Sequence, residues 1–373
     1  MTRINDVGRR DAPVTAFRAS AYRVPTDAPE ADGTFAWDAT TLVVVEIEAG
    51  GQTGLGYTYG AAAMAPLILD TLQPRVLGAD PLAPERITRS LWREVRNLGR
   101  SGLAACAISA VDCALWDLKA KLLDLPLATL LGRLRDRVPV YGSGGFTSYD
   151  DDRLAEQLGS WVQDDGCRWV KMKVGADPGR DVQRVRAARA AIGPEAGLFV
   201  DANGAHDVAS ALAFARGIAD LGISWFEEPV SSDDPQGLRR VRDALAAAGL
   251  PMAVAAGEYA YTADDFRHLL GAVDVLQADI TRCGGVSGFL QAAALCDAFH
   301  LDLSAHCAPA LHLPVCCAAP RLRHLEWFHD HVRLEALLFD GAPTVNDGLI
   351  APALDRPGNG LVFKRADAAR YAL

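Results

Sequence analysis

The chain has 373 residues, half of them hydrophobic and 23% charged, with a formal net charge of −10 at pH 7. This length fits two domains or one large barrel with additions, and the composition is that of an ordinary globular protein. The acidic balance speaks against a nucleic-acid binder, no run has the length of a membrane span, and the opening MTRINDVGRRDAPVT lacks a signal-type apolar core, so a cytoplasmic protein with a loose lead-in is expected.

Residues 16–60 carry three strand-like runs, AFRASAYRVP, TTLVVVEIEA and TGLGYTYG, with a turn-rich loop, TDAPEADGTFAWDA, between the first two. Helical patterns follow near 62–78, 84–99 and 102–131, the last reading as one long amphipathic helix that ends at glycine. Strands first and helices after suggest an α+β unit. From Arg137 the rhythm changes to eight apolar runs separated by helical segments: VPVYGSGG, WVKMKVG, LFVDANG, SWFEEPV, MAVAAGE, VLQADI, LDLSAHC and HLEWF. Eight βα-like units predict a (β/α)₈-type barrel. A doubly wound sheet of this size would be unusual, and no G-x-G-x-x-G follows its first strand. The expected division is a capping unit over 14–133, a barrel over 134–344, and a turn-rich tail over 345–373 that packs back on the cap. The eight cysteines show no paired metal-type spacing and read as buried thiols in a reducing compartment.

In such barrels chemistry sits at the C-terminal ends of the strands. The second run ends in Lys171 and Lys173, the third in Asp201 and Asn203, the fourth in Glu227 and Glu228, the fifth in Glu258, the sixth in Asp279, the seventh in His306, and the eighth carries Glu326. Singly each has a bland reading: Asp201 as a turn residue in DANG, Glu227 as a helix-start residue in EEP, His306 as a satisfied buried histidine. Seven consecutive strands with an ionisable group at the same end are harder to ascribe to structure alone. Neighbouring strands lie about 4.8 Å apart, so Asp201, Glu227 and Glu258 converge and repel unless a cation sits among them. An all-oxygen set suits Mg²⁺ better than Zn²⁺.

Asp279 and His306 end adjacent strands, where a carboxylate can fix one imidazole nitrogen and leave the other as a base. Lys171 and Lys173 share one phase of a period-two strand and so point to the same side. Lys171 is expected to disfavour protonation of Lys173, lowering its pKa toward that of a base, and to pair with an anionic substrate. Cation, lysinium and opposed bases together suit proton abstraction α to a carboxylate.

The motifs KMK at 171–173, DAN at 201–203, EEP at 227–229, GE at 257–258, QADITRCGG around Asp279, SAH ending at His306 and HLEW around Glu326 closely resemble those of the enolase superfamily, in its mandelate racemase-like subgroup. The resemblance spans nearly the whole chain. It implies a modified (β/α)₇β barrel with an α+β cap formed by the N-terminal segment and the C-terminal tail. It implies Mg²⁺ on Asp201, Glu227 and Glu258, Lys173 as base on one face, and the His306–Asp279 dyad as base or acid on the other. Lys171 and Glu326 would contact the substrate carboxylate, Glu326 as a hydrogen-bonding acid. Asn203 would lie near substrate or metal, Ser143 would offer a further carboxylate contact, and Glu228 would support from behind.

His329 and His331 look like an H-x-H metal pair, but a pocket-rim or structural role is preferred because no further ligands of that kind are near. The subgroup's reactions imply dehydration of an acid sugar to a 2-keto-3-deoxy acid. A racemase or epimerase of a 2-hydroxy acid is the alternative, and a non-catalytic carboxylate- and metal-binding relative is the second alternative. The partner is then a small-molecule carboxylate, with no nucleic acid or membrane, and assembly as a homo-oligomer is implied. Specificity is expected from the loop near 24–38 and from YTYGAAAM.

Overall fold

The computed structural model describes residues 12–373, so most of the expected lead-in, residues 1–11, lies outside the described residues. Three antiparallel strands open the chain: β1 (Ala16–Ala31), β2 (Ala36–Ala49) and β3 (Gln52–Tyr59), in the order β1-β2-β3. The segment read as a loop is instead the far end of a long hairpin. β1 and β2 pair from Ala16↔Glu48 to Ala31↔Ala36, with a register shift between Pro25 and Glu30. Proline and aspartate there bend the strand without ending it, because the shift absorbs the residues that cannot keep the ladder.

The helices α1 (Pro84–Glu94) and α2 (Leu103–Leu122) follow. α2 stops at Leu122, and Leu127–Leu130 forms a separate short turn, so the single helix expected over 102–131 is broken. Asp124 has φ +55°, and Pro126 caps the new turn. Nor is α2 amphipathic: only Leu103, Lys119 and Lys121 escape burial. It lies between the cap sheet and the barrel. On one side β3 comes so close that a Cβ on Gly54 would sit 2.2 Å from Ala114 O. On the other, buried Asp112 accepts Ser287 N–H at 3.0 Å and Ser287 Oγ at 2.6 Å.

The eight predicted barrel strands are all present: β4 (Val138–Gly144), β5 (Trp169–Lys173), β6 (Gly197–Asp201), β7 (Ile223–Glu227), β8 (Ala253–Ala256), β9 (Val275–Ala278), β10 (Asp302–Ala305) and β11 (Leu322–Phe328). They pair in parallel in sequence order, and β11 closes on β4 with Leu325↔Val140 through Phe328↔Ser143. Strand alternation sorts the interior into layers. Tyr141, Phe199 and Trp225 form an aromatic floor, with Phe199 stacked on Trp225 at 5.2 Å. Two residues further along the same strands, and therefore on the same inward face, come Ser143, Asp201 and Glu227.

After β11 the helix His329–Leu338 follows directly. In the tail, Leu349–Ile350 pairs antiparallel with β4, Leu373 N–H bonds Ala21 O at 3.0 Å in β1, and Asn359 N–H bonds Asp117 in α2 at 2.6 Å. The tail therefore touches barrel and cap alike. No helix among the described residues is long and apolar enough to cross a membrane.

Candidate active site

The polar layer is nearly sealed. Lys171, Asp201, Glu227, Glu326 and Ser143 have no exposed surface, and Lys173, Glu258, Asp279 and His306 retain at most 5%. Strand register brings the acids together: Lys173↔Asp201 and Asp201↔Glu227 are cross-strand partners. Glu258 follows Gly257, whose φ of +136° and close approach to Gln277 O, 2.2 Å from where a Cβ would stand, turn the chain end inward. Carboxylate oxygens of Asp201, Glu227 and Glu258 all lie within 4.8 Å of one another, the convergence expected of three adjacent strand ends.

The lysines are tied into this layer. Lys171 Nζ lies 2.6 Å from Glu227, 2.8 Å from Glu326 and 3.3 Å from Asp201. An ammonium has three N–H donors, so a substrate carboxylate must replace one of these partners to reach it. Lys173 Nζ donates to Asp201 Oδ2 at 2.5 Å. The expected lowering of its pKa is overturned: burial disfavours its charge, but the Asp201 carboxylate, with Glu258 and Glu227 behind it, outweighs burial and Lys171 and holds the pKa up. Lys171 is raised as well, since the Glu227 and Glu326 carboxylates overcome its burial. Through-space carboxylates decide the matter, not the lysine two residues away.

Burial, then Asp201, push Glu227 up to about 8 despite Lys171. Glu326 shows the opposite balance. Burial raises it, yet Lys171 and His306 hold it below the usual carboxylate range, the opposite direction from that favouring a hydrogen-bonding acid. Its Oε1 accepts Ser143 Oγ at 2.6 Å, which commits the Ser143 hydroxyl to Glu326.

His306 Nδ1 lies 2.8 Å from Asp279 Oδ2, while Asp279 Oδ1 accepts Thr281 N–H and Oγ at 2.7 Å each. The expected dyad is therefore formed and oriented, with Nε2 turned toward Glu258, Glu326 and Cys307. Nε2 lies 3.2 Å from Glu258 Oε2 and 3.7 Å from Glu326 Oε2. Burial disfavours the imidazolium, but Glu258, Glu326 and Asp279 hold its pKa well above the ordinary value. The neighbouring Cys307 contributes a contact rather than a charge, since burial and Glu326 push its thiol far up.

The other candidates divide. Asn203 has φ +45°, its N–H bonds Asp201 Oδ1 at 2.9 Å, and its buried Oδ1 has no hydrogen-bond partner. Glu228 has φ +37° and is buried, and desolvation with the Glu258 and Asp201 charges raises its pKa strongly. His329 and His331 do not form a pair. His329 Nε2 meets Asp27 at 3.0 Å on the rim, whereas buried His331 stacks on Tyr59 at 3.5 Å.

Three contributors have no role assigned from the sequence, although Arg282 lies within QADITRCGG. Arg282 reaches Glu258 and Asp279, each at 3.4 Å, Trp225 Nε1 donates to Glu227 Oε2 at 2.9 Å, and Cys307 sits against both His306 and Glu326. Trp225 lies two residues before Glu227 and so shares its strand face, a signal that could have been read.

Six acidic side chains (Asp201, Glu227, Glu228, Glu258, Asp279 and Glu326) thus meet three lasting cations (Lys171, Lys173 and Arg282) and one histidine. Buried Glu258 Oε2 and Glu228 Oε1 have no aligned hydrogen-bond donor. Three converging carboxylates, with Glu258 Oε2 lacking a donor, fit a hard divalent cation.

The cap closes this end. Asp32 Oδ1 accepts Thr34 and Phe35 N–H at 2.6 and 2.7 Å in the hairpin turn. Gly33 packs so tightly that a Cβ would stand 2.5 Å from Ala202 O and 2.6 Å from Val174 O, beside the ends of β5 and β6. Trp37 packs edge-on against Phe146 at 5.7 Å.

Two family profiles match the chain: the mandelate racemase / muconate lactonizing enzyme N-terminal domain over residues 20–132, and an enolase C-terminal domain-like profile over 153–368. A solved mandelate racemase/muconate lactonizing enzyme-like protein from Rubrobacter xylanophilus is 50% identical, covers 97% of this chain and 100% of its own, and superposes with a TM-score of 0.93. The 3,6-anhydro-alpha-L-galactonate cycloisomerase of Streptomyces coelicolor is 35% identical over 96% of this chain and 99% of its own length. The L-talarate/galactarate dehydratase of Salmonella typhimurium is 35% identical over 82% of this chain and 78% of its own. Its structure with Mg and L-lyxarohydroxamate superposes at a TM-score of 0.87 with 30% identity, covering 97% of this chain and 93% of its own.

Proposed function

The chain belongs to the mandelate racemase/muconate lactonizing enzyme family of the enolase superfamily, and on that footing we propose that it is a Mg²⁺-dependent lyase that dehydrates an acid sugar to a 2-keto-3-deoxy acid. The observation that carries this is the convergence of the three carboxylates between Lys173 and the His306–Asp279 dyad. In this reading residues 134–344 carry the chemistry, 14–133 cover it, and 345–373 pack on the cap and on the start of β4.

Asp201, Glu227 and Glu258 hold the cation. Bound there, Mg²⁺ would supply Lewis-acid neutralisation of the charge that builds on the substrate carboxylate, and Asp201, once a metal ligand, would stabilise the Lys173 ammonium less. Lys171 anchors the same carboxylate by releasing one of its own acidic partners. Lys173 takes the α-proton from one face. His306 Nε2, oriented by Asp279, gives a proton to the departing β-hydroxyl from the other. Glu326, braced by Ser143 and Lys171, hydrogen-bonds the substrate at the same end. Asn203 Oδ1 accepts a substrate hydroxyl, and Glu228 stays protonated behind the trio. The hairpin tip at Asp32–Phe35 excludes water.

The eight free, buried cysteines suit a reducing cytoplasm. A homo-oligomer is proposed on the family resemblance, and sedimentation reads it directly.

The test is incubation with Mg²⁺ and a panel of sugar acids, read for keto-acid product. A 2-keto-3-deoxy product from a sugar acid supports the lyase. Conversion without loss of water would replace it by an isomerase, the second reading, which the cycloisomerase relative favours.

A further inference from the structure

The acid–base end of the site also holds a second set of metal-ligating atoms, of a different chemical kind from the oxygen trio. His306 Nε2 lies 3.2 Å from Cys307 Sγ, Cys307 Sγ lies 3.4 Å from Glu326 Oε2, and Glu326 Oε2 lies 3.7 Å from His306 Nε2. A tetrahedral Zn²⁺, with bonds of about 2.3 Å to sulfur and about 2.0 Å to nitrogen or oxygen, spaces its ligands about 3.3–3.6 Å apart. The three atoms therefore already form one face of such a tetrahedron.

Each ligand is also presented correctly. Asp279 holds His306 Nδ1 at 2.8 Å and leaves Nε2 free, the carboxylate–histidine arrangement that supports metal-bound imidazoles. Ser143 and Lys171 occupy Glu326 Oε1, while Oε2 receives only the Cys307 N–H at 3.1 Å and its thiol. Consecutive positive φ values at Cys307 (+54°) and Ala308 (+39°) turn the backbone so that the thiol faces inward. Glu258 Oε2, 3.2 Å from His306 Nε2, offers a fourth donor shared with the trio. All of these side chains are buried.

We propose that His306, Cys307 and Glu326 form a second cation site that takes a thiophilic divalent metal, with Zn²⁺ as its type, and that filling it stops turnover. A nitrogen–sulfur–oxygen set selects borderline-soft ions, whereas the all-oxygen trio selects hard ones. Binding expels two protons to solvent, one from the Cys307 thiol and one from His306 Nε2, and ties up the Nε2 lone pair. The site stands on the geometry alone; its effect on turnover rests on the catalytic role given to His306 above.

The test uses the full chain saturated with Mg²⁺ and titrated with Co²⁺ alone, then Zn²⁺ alone. The expected result is a thiolate-to-Co²⁺ charge-transfer band that Zn²⁺ abolishes, that survives in Asp201→Asn, and that is lost in Cys307→Ser together with at least a 100-fold weakening of Zn²⁺ binding. No band in the wild type, or an unchanged band in Cys307→Ser, would overturn the site. Should the serine variant not fold, Zn-edge X-ray absorption on the wild type decides the matter. One sulfur at about 2.3 Å supports the site, and a shell of nitrogen and oxygen alone removes it. None of these readouts needs turnover, so they stand apart from the dehydratase assay. Zn²⁺ bound here with undiminished turnover of an identified substrate would overturn the inhibition.

Discussion

Replacing Lys171 by methionine keeps the length and bulk of the side chain and removes one charge. In the wild type that charge serves Glu227, Glu326 and Asp201 at 2.6, 2.8 and 3.3 Å, and none of the four side chains is exposed. Because volume is preserved, cavity terms are small, and the loss is that of breaking a buried ion pair, about 3–5 kcal/mol. Urea unfolding without Mg²⁺ reads it as a fall in midpoint at constant slope. Adding Glu227→Gln to Lys171→Met should recover part of the loss, since it removes one of the carboxylates left unpaired, with a coupling of about 1–3 kcal/mol. A loss below about 1 kcal/mol, the scale of an exposed pair, would refute the view that Lys171 is the internal counter-ion of the site.

Lys173→Ala and His306→Asn should each abolish turnover while calorimetry still finds Mg²⁺ bound; normal turnover in either removes that residue from the mechanism. Glu258→Gln should weaken Mg²⁺ by at least about 10-fold, given that even outer-shell changes cost this much, and unchanged affinity would break up the trio. Burial pushes Glu335 up to about 8, although it accepts Tyr57 O–H at 2.6 Å and Ala310 N–H at 3.0 Å. Its folded pKa exceeds its unfolded one, so its contribution to stability is complete below about pH 4.5 and declines by about 1.4 kcal/mol per pH unit until about pH 8. Glu335→Gln should flatten that slope in pH-dependent unfolding, and an unchanged slope would show that Glu335 is ionised when buried. Gly54→Ala should destabilise by about 1–3 kcal/mol, because its Cβ would stand 2.2 Å from Ala114 O and 2.5 Å from Leu118 Cβ. An unchanged melting temperature would mean the cap sheet can move off α2 freely.

The barrel is legible in the sequence because its strands are buried on both faces, which yields short, nearly continuous apolar runs such as GLFVD and ISWFE. The polar layer is legible because period-two alternation fixes which residues face inward, so Lys171, Lys173, Asp201 and Glu227 declare their side at once. What depends on distant contacts was hidden. The hairpin beyond Pro25 looks like a loop because its turn-forming residues are accommodated by a register shift rather than by ending the strand. α2 cannot show amphipathicity, since it is covered by the cap sheet on one side and by the barrel on the other.

The charge states were misjudged for a related reason. Sequence proximity sets Lys171 beside Lys173, but Asp201, Glu227 and Glu326 approach from strands 28 to 155 residues further on, and their closeness decides which groups are ionised. Cys307 and Arg282 went unassigned although Arg282 lies inside QADITRCGG and Cys307 directly follows SAH, because only the turn after β10 and the reach from Asp279 toward Glu258 give them partners.

The central claim is that Lys173 and His306 move protons at the α-carbon and its neighbour. It is tested most directly in D₂O with Mg²⁺, following by NMR the α-hydrogen of the sugar acid that the panel turns over. Loss of that hydrogen in the wild type, with none in Lys173→Ala/His306→Asn, is the expected result. Turnover that leaves the α-hydrogen in place, or equal exchange in the double variant, would contradict it.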